Sequence, residues 1–156
     1  MRLTPVLLEI GERWHDGRFN VAQERIVTGT VRRQVSAVLD TYNRITAASP
    51  IVFTTLTDER HEIGILMAAL IAASRGARCH YLGPDVPSAD IAIYARRVAA
   101  AVVVLSVPMR ASLETANAGI AELAQTLPRP IGLWVGGSAV HQLDLGAYAD
   151  RVTVLA

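Results

Sequence analysis

The sequence contains no lysine, and all 15 of its basic side chains are arginines. Without a lysine side chain it cannot form a lysine Schiff base or build a P-loop, so both of those mechanisms are excluded. It also has a single cysteine, Cys79, which rules out an internal disulfide and a thiolate zinc cluster. Because Cys79 lies in an apolar segment, we expect it to be a small residue of the core.

Charged residues make up only 19% of the chain, against about a quarter in an average protein. The formal net charge is +1, and the 15 arginines are spread among 14 acidic residues. Direct nucleic-acid binding requires a concentrated basic surface, so we expect none from this chain. No apolar run reaches the ~18 residues that cross a bilayer, and the N-terminus lacks a signal-peptide pattern. We therefore expect no membrane contact and a cytoplasmic protein.

The segment 1–46 predicts two amphipathic helices. Residues 4–16 place apolar side chains, among them Trp14, at helical spacing, and residues 21–45 do the same over a longer stretch. Two helices bury too little surface to fold alone. We therefore expect residues 1–46 to form a partial helical bundle that caps the following domain, or to be the remainder of a larger bundle.

From residue 50 onward, short apolar segments alternate with helical patterns, which is typical of a sheet covered on both faces. The order predicts an α/β domain over 50–156, with a five-stranded parallel, doubly wound sheet of the flavodoxin or Rossmann-like type. The predicted strands are 51–56, 77–82, 101–105, 131–135 and 152–155, and the predicted helices are 62–74, 88–99, 112–126 and 138–143.

The carboxyl ends of parallel strands meet at one edge of a sheet, where the loops bind ligands. The loop after the first strand carries His61 between carboxylates, and an imidazole in that setting is arranged for metal ligation. No glycine-rich fingerprint follows that strand and no Ser/His/Asp order is present, so a dinucleotide enzyme and a hydrolase are disfavoured. A phosphorylated receiver domain is disfavoured as well, because Ser106 stands where its acceptor aspartate would be.

Two spacings in these loops resemble those of the B12-binding domain family. The family signature consists of Asp-x-His-x-x-Gly, then Ser-x-Leu, then Gly-Gly, separated by two intervals of characteristic length. In this chain the first interval is positions 65–105 and the second is positions 109–135, and both lengths agree with the signature. The residues that correspond to the signature are Glu59, His61, Gly64, Ser106, Gly136 and Gly137.

The resemblance implies a cobalamin cofactor bound base-off/His-on, with His61 as the lower axial ligand of cobalt and Glu59 bonded to its other nitrogen. Asp58 is the rival for that bond, since Glu59 is one methylene longer than the family's aspartate. The displaced nucleotide tail would lie in a slot beside the first strand. The residues implied in the slot and in the bed of the corrin are Gly64, Leu82, Gly83, Val86, Pro87, Ser106, Val107, Gly136 and Gly137.

Two further positions leave alternatives open. Pro108 replaces the family's leucine, which is expected to change the shape of its loop more than contact with the tail. Ser112 either extends the His61–Glu59 pair as a hydroxyl partner or caps the following helix.

The N-terminal helices resemble the light-sensing cobalamin regulators that are related to the MerR transcription factors. Their signature is Trp-x9-Glu-His; here Trp14 and Glu24 have that spacing, and Arg25 replaces the histidine. The resemblance implies that Trp14 and Glu24 line the upper face of the corrin. It also implies that His15 can capture cobalt as an upper axial ligand after light cleaves the cobalt–carbon bond.

The resemblance therefore implies a cobalamin-binding sensor, a light-responsive photoreceptor or regulatory module that holds adenosylcobalamin or methylcobalamin. Such a module is not an enzyme, and it would act as a homo-oligomer or through a separate regulatory partner. The alternative is a corrinoid methyl-carrier protein of a methyltransferase system. A carrier shares the fold and His61 but needs an upper face that is open to its partners.

Overall fold

The computed structural model describes residues 21–43, 48–109 and 111–155 of the chain. The helices are α1 (Val21–Asn43), α2 (Ile63–Ser74), α3 (Ser88–Arg97) and α4 (Leu113–Thr126), and the strands are β1 (Ile51–Leu56), β2 (Cys79–Val86), β3 (Val102–Ser106), β4 (Gly132–Gly136) and β5 (Val152–Val154). Two short 3-10 turns, Val140–Gln142 and Gly146–Tyr148, lie between β4 and β5. None of the described helices combines the length and apolarity that spanning a bilayer requires.

All five strands are parallel, and their order across the sheet is β2-β1-β3-β4-β5. This confirms the predicted five-stranded α/β sheet of the flavodoxin type. Side chains alternate between the two faces of a strand, so the apolar strands must be covered on both sides. One face forms a buried cluster in which Val103, Leu105 and Leu133 of the sheet join Ile91 of α3 and Ile120 of α4.

The order of the strands reverses at β1, because the chain leaves β1 toward β2 on one side and returns to β3 on the other. Helices on either side of such a reversal diverge and leave a crevice at the carboxyl ends of the two strands. The loops 57–62 and 107–112 follow β1 and β3 at this edge. The fold therefore places His61 where open α/β sheets bind their ligands.

Strand β2 is longer than predicted. It runs from Cys79 to Val86, whereas Gly83 and Pro84 in the sequence predicted an end at Leu82. Proline lacks a backbone N–H and is found on edge strands, where a partner is present on one side only. Strand β2 is such an edge strand, and its pairing with β1 shifts register twice, which accommodates the irregular segment. The prediction that Gly83 and Val86 lie in a loop after this strand was wrong, and they belong to the strand.

Two predicted helices end differently in the structure. The helix predicted over 138–143 is a single 3-10 turn, Val140–Gln142, because Leu143 already has an extended backbone. The helix predicted to reach residue 99 ends at Arg97, since Ala99 adopts a left-handed conformation with φ of 49°. In both cases the backbone of one residue stops the helix, although its side chain is an acceptable helix former.

The chain divides into two compact units, Met1–Gln34 and Val35–Ala156. The first unit contains the N-terminal part of α1, in which the Thr30 hydroxyl donates to the Ile26 carbonyl at 2.9 Å. The first predicted helix, over 4–16, lies outside the described residues. The predicted cap over residues 1–46 is therefore described only through α1.

The end of α1 lies in the second unit, where Asn43 bonds to the first residue of β2. Its carboxamide donates to the Cys79 carbonyl at 2.5 Å and accepts from the Cys79 N–H at 2.8 Å. The last turns of the helix also bury Val35 and Leu39. One side chain thus pairs with both backbone groups of one residue on the outer strand, and Cys79 is a core residue as predicted.

We expect Asn43→Ala to loosen the end of α1, because it leaves the Cys79 N–H and carbonyl without a partner. Cys79 is 1% exposed and burial raises the pKa of its thiol to about 11, so the native thiol should react slowly with a disulfide reagent at about pH 8. The variant should react about tenfold faster, as ~1.4 kcal/mol of lost local stability implies. Thr41→Ala, on the exposed side of the same helix, is the control. Equal rates in the two variants would contradict the expectation.

Candidate functional site

The loop after β1 is a tight turn that leads directly into α2. Its N-terminal part closes with a bond from the Glu59 N–H to the Leu56 carbonyl at 3.1 Å. Asp58 takes a left-handed conformation with φ of 68°, which aspartate and asparagine tolerate better than most residues. Helix α2 begins at Ile63, shortly after His61. The histidine is therefore held on a short loop between two regular elements.

Glu59 binds His61 twice. Glu59 Oε1 lies 2.7 Å from His61 Nδ1 and accepts the His61 backbone N–H at 2.7 Å. A carboxylate can only accept, so Nδ1 carries the proton and the lone pair of the neutral ring is on Nε2. The Glu59 side chain is 8% exposed and that of His61 61% exposed, so a buried carboxylate orients an accessible imidazole. Glu59, and not its rival Asp58, makes the predicted bond.

Asp85 of β2 ties this loop to the sheet. Its Oδ1 accepts the Asp58 N–H at 2.8 Å. Its own N–H lies 3.1 Å from the Glu59 carbonyl and 3.0 Å from Thr55 Oγ1. The buried Thr55 hydroxyl donates to the same Glu59 carbonyl at 2.5 Å. Sequence reasoning missed Asp85 and Thr55, because their contact depends on the register shift between β1 and β2.

A second buried carboxylate, Glu62, lies just before α2. Its side chain accepts the Tyr81 hydroxyl at 2.5 Å, which links the start of α2 to β2. Glu62 is 9% exposed, so this hydrogen bond compensates for the water that the carboxylate has lost. No sequence pattern pointed to this pair, since the two residues are 19 positions apart.

The other two described histidines are placed differently. His80 lies near the amino end of β2, where its Nδ1 is 3.0 Å from the Tyr94 hydroxyl. Burial and the neighbouring Arg78 lower the pKa of His80, which keeps it neutral. His141 lies after β4, at the same edge of the sheet as His61, and is exposed. Between these two exposed histidines, only His61 has an orienting carboxylate among the contacts of the described residues.

The loop after β3 packs closely on the loop after β4. The Val107 N–H donates to the Gly136 carbonyl at 2.8 Å, and the Ala139 N–H donates to the Val107 carbonyl at 3.1 Å. Gly137 has φ of +117°, and a Cβ there would lie 2.4 Å from the Val107 oxygen. No side chain fits at Gly137. This glycine is required by the protein backbone alone, apart from any ligand.

A narrow cleft separates the His61 loop from the residues after β3. Its volume is about 10 Å³, and its walls include Glu59, Ser106, Val107 and Ser112. That space holds about one water molecule. A groove of about 370 Å³ opens beside it at the end of β1 and runs along α4 past Gly119. The structure thus brings Ser106 and Val107 behind Glu59, while Gly136 supports them through the hydrogen bond to Val107.

Ser112 resolves one of the alternatives left by the sequence. Its hydroxyl accepts the Thr115 N–H at 3.3 Å and the Thr115 hydroxyl at 3.0 Å, so it caps α4.

Four residues of the predicted corrin bed lie on or just after β2. Leu82 and Val86 pack against the core cluster, Gly83 has φ of +92° and accepts from Thr54 Oγ1 at 2.8 Å, and Pro87 is exposed.

Three residues were predicted at the upper face of the corrin, namely Trp14, His15 and Glu24. Trp14 and His15 lie outside the described residues. Glu24 is a residue of α1, and its side chain lies outside the described part as well.

Gly64, in the first turn of α2, faces open space. A Cβ built on it would meet no atom within 4 Å, and its φ is not in the left-handed region. We therefore expect Gly64→Ala to leave the free energy of unfolding unchanged or slightly higher, because alanine favours helix by ~1 kcal/mol. If a corrin fills this space, the variant should weaken its binding by about tenfold. Denaturant unfolding and a cobalamin titration measure the two effects, and full affinity in the variant would exclude contact at Gly64.

The donor set also limits which metal can bind here. In the described part of the chain, no three His, Cys, Asp or Glu side chains converge on one point. A bare divalent ion would need several such ligands. A cobalt ion that already carries the four nitrogens of a corrin ring would need one axial imidazole, and the side chain of His61 is an exposed imidazole. The residues present therefore fit a corrinoid better than a free ion.

Known proteins resemble this chain in sequence and in fold. Over an alignment 158 positions long, which covers 97% of the chain, the sequence is 34% identical to the HTH-type transcriptional repressor CarH of Myxococcus xanthus. The alignment covers 50% of that repressor, so the chain spans about half the length of this relative.

Solved structures show the same fold. The monomethylamine corrinoid protein of Methanosarcina barkeri matches with a TM-score of 0.61 and 14% identity, covering 94% of this chain and 70% of that one. A cobalamin-binding protein of Desulfitobacterium hafniense matches with a TM-score of 0.50 and 22% identity, covering 83% and 62%. Residues 49–153 match the family model described as the B12 binding domain. The chain therefore belongs to the B12-binding domain family.

Proposed function

We propose that this chain is a light-responsive regulatory module that binds cobalamin with His61 as the lower axial ligand of cobalt. The observation that carries the proposal is the His61–Glu59 pair. His61 Nδ1 lies 2.7 Å from the buried Glu59 carboxylate, so Nε2 is the ring nitrogen that remains available to a ligand. The His61 side chain is 61% exposed at the crevice. A carboxylate on one ring nitrogen raises the basicity of the other, which strengthens its bond to a late first-row metal.

The chain's own residues then divide into three roles. His61 provides the axial nitrogen, Glu59 fixes the tautomer and aim of the ring, and Gly64 leaves room for the ring of the cofactor. Ser106 and Val107, behind Glu59, are proposed to line the path of the nucleotide tail. The volume of the cleft there is about 10 Å³, which is too small for a nucleotide. Entry of the tail therefore requires the loops after β1 and β3 to move apart.

The regulatory role is favoured over the methyl carrier by sequence similarity. The 34% identity to a transcriptional repressor extends over 97% of the chain, including its N-terminal segment. The likeness to the corrinoid protein rests on 14% identity and concerns the fold alone. We therefore retain the carrier as the alternative function, which transfer of a methyl group from a donor protein would support.

The N-terminal segment is proposed to be the moving part. Residues 1–46 would cap the upper face of the corrin, with Trp14 and Glu24 facing it, and residues 50–156 would hold its lower face. Adenosylcobalamin and methylcobalamin supply a cobalt–carbon bond that light cleaves. Once the upper group has left, the cap would repack and His15 would move toward the vacated position. A two-state element of this kind converts a local change into an altered surface.

The output of the module belongs to the proposal as well. The chain matches half of a transcriptional repressor, and its 15 arginines are spread along the sequence among 14 acidic residues, so we propose that DNA binding comes from a separate module or partner. We propose that the cap acts by changing the self-association of the chain or its affinity for that partner.

Reconstitution in the dark tests the function. We expect purified protein with adenosylcobalamin or methylcobalamin to show the absorption spectrum of a base-off, histidine-ligated corrinoid. Illumination should change that spectrum and shift the elution volume in size-exclusion chromatography. Hydroxocobalamin, which has no carbon ligand, is the control and should give a complex that is insensitive to light. A spectrum and an elution volume that stay constant under light would contradict the photoreceptor proposal.

A further inference from the structure

We propose that Asp85 is the positioning residue that holds the His61 loop in the conformation needed for cobalt ligation. This inference rests on the proposed role of His61 as the axial ligand. Asp85 is in β2, and it contacts the loop through both its main chain and its side chain. It therefore connects the edge strand of the sheet to the loop on which the ligand stands.

The main-chain contact acts on Glu59, the residue that orients the imidazole. The Asp85 N–H lies 3.1 Å from the Glu59 carbonyl, and the Thr55 hydroxyl donates to the same oxygen at 2.5 Å. Asp85 reaches this position because its backbone is left-handed, with φ of 63°. The partners of a metal ligand must themselves be held in place if they are to aim it. Glu59 is thus fixed at its backbone as well as through its bonds to His61.

The side-chain contact acts on the residue before Glu59. Asp85 Oδ1 accepts the Asp58 N–H at 2.8 Å, and Asp58 is itself left-handed. Arg60 Nε lies 3.7 Å from Asp85 Oδ2, but its side chain is 84% exposed, so water screens this ion pair. The acceptor oxygen, rather than the negative charge, is therefore the part of the side chain that matters. Asparagine would retain that oxygen.

Together the two contacts clamp the loop on both sides of the peptide bond that joins Asp58 to Glu59. Without the Asp85 side chain, the Asp58 N–H loses its acceptor and the turn before His61 can open. The imidazole would then sample several directions, and the fraction of protein with Nε2 aimed at the crevice would fall. The lower fraction weakens the apparent binding of His61 to cobalt, because only protein with Nε2 aimed at the crevice can form that bond.

Asp85→Gly and Asp85→Asn separate these effects. Glycine accepts φ of 63° without strain and keeps the N–H, so it removes only the side-chain contact. We expect the Asp58 amide of the glycine variant to exchange with solvent about tenfold faster, measured by NMR on protein without cobalamin. With methylcobalamin, the ratio of histidine-ligated to unligated corrinoid in the absorption spectrum should fall by about tenfold. The asparagine variant should restore both values, and Asp150→Gly, in an exposed turn, is the control for added flexibility.

The outcomes are distinguishable. Unchanged amide exchange in Asp85→Gly would show that the clamp does not hold the loop and would overturn the inference. Faster exchange with an unchanged spectrum would overturn it too, because the loop would then be clamped without effect on ligation. If His61→Ala and the unmodified protein give the same cobalamin spectrum, the proposed function fails, while the exchange data still decide whether Asp85 holds the loop. If Asp85→Asn fails to restore the amide exchange rate and the spectrum, the negative charge of Asp85 is responsible, and its proposed role as a hydrogen-bond acceptor is rejected.

Discussion

His61→Ala should abolish the histidine-ligated spectrum of bound cobalamin and weaken its binding by about 100-fold, which corresponds to ~2.7 kcal/mol. The variant removes the protein atom proposed to bond to cobalt, while the other proposed contacts with the corrin and the tail are unchanged. The side chain of His61 is 61% exposed and its partner Glu59 can recruit water, so the free energy of unfolding without cofactor should change little. Visible absorption and a cobalamin titration give the two values.

Two controls sharpen this measurement. His141→Ala removes the exposed histidine at the same edge of the sheet and should leave spectrum and affinity as they are. Added imidazole should enter the space left in the His61 variant and recover the nitrogen-ligated spectrum in part. If His141→Ala and not His61→Ala changed the spectrum, the ligand would be misassigned and the role of Glu59 with it.

Gly137→Ala should destabilise the protein by ~3 kcal/mol or more, the second large effect we expect. The new Cβ would lie 2.4 Å from the Val107 oxygen and 2.7 Å from its carbonyl carbon, and all of these atoms belong to rigid backbone. Alanine also disfavours φ of +117°. The midpoint of urea unfolding, measured without cofactor, reports the loss.

The matched control is Gly76→Ala, after α2. Gly76 also has a positive φ, +91°, but nothing lies within 4 Å of the position of its Cβ. This variant should cost ~1 kcal/mol, which is the penalty for the backbone conformation alone. The difference between the two variants isolates the overlap with Val107. Equal costs would mean that the loops after β3 and β4 yield, and that their close packing is not rigid.

The sheet and its ligand-binding edge could be predicted because the information is local. Apart from β2, the strands are short and mainly apolar runs between breakers, and their alternation with helices leaves one topology class. The His61–Glu59 pair is also local, since the two residues are neighbours on one turn. The sheet and the His61–Glu59 pair could therefore be predicted from local sequence and the general rules for parallel sheets, without knowing which strands are neighbours.

Other features depend on contacts that no local pattern encodes. Asp85 reaches the His61 loop only because β2 continues past Pro84 with shifted register, and the sequence alone favoured a loop there. Two glycines of the family signature also differ in the physical reason for their presence. Gly64 faces open space, whereas Gly137 is forced by the Val107 backbone. Sequence reasoning assigned both to the ligand, since a glycine looks the same in either setting.

The pairing of Asn43 with Cys79 has a consequence for how the protein avoids association with the wrong partner. An exposed edge strand offers free N–H and carbonyl groups on which a foreign strand can add. At the start of β2 a carboxamide already occupies those of Cys79, and near its end Pro84 has no N–H to offer. At the opposite edge, β5 spans only Val152–Val154. A variant that frees α1 from β2 should therefore aggregate on warming sooner than one that loosens β5.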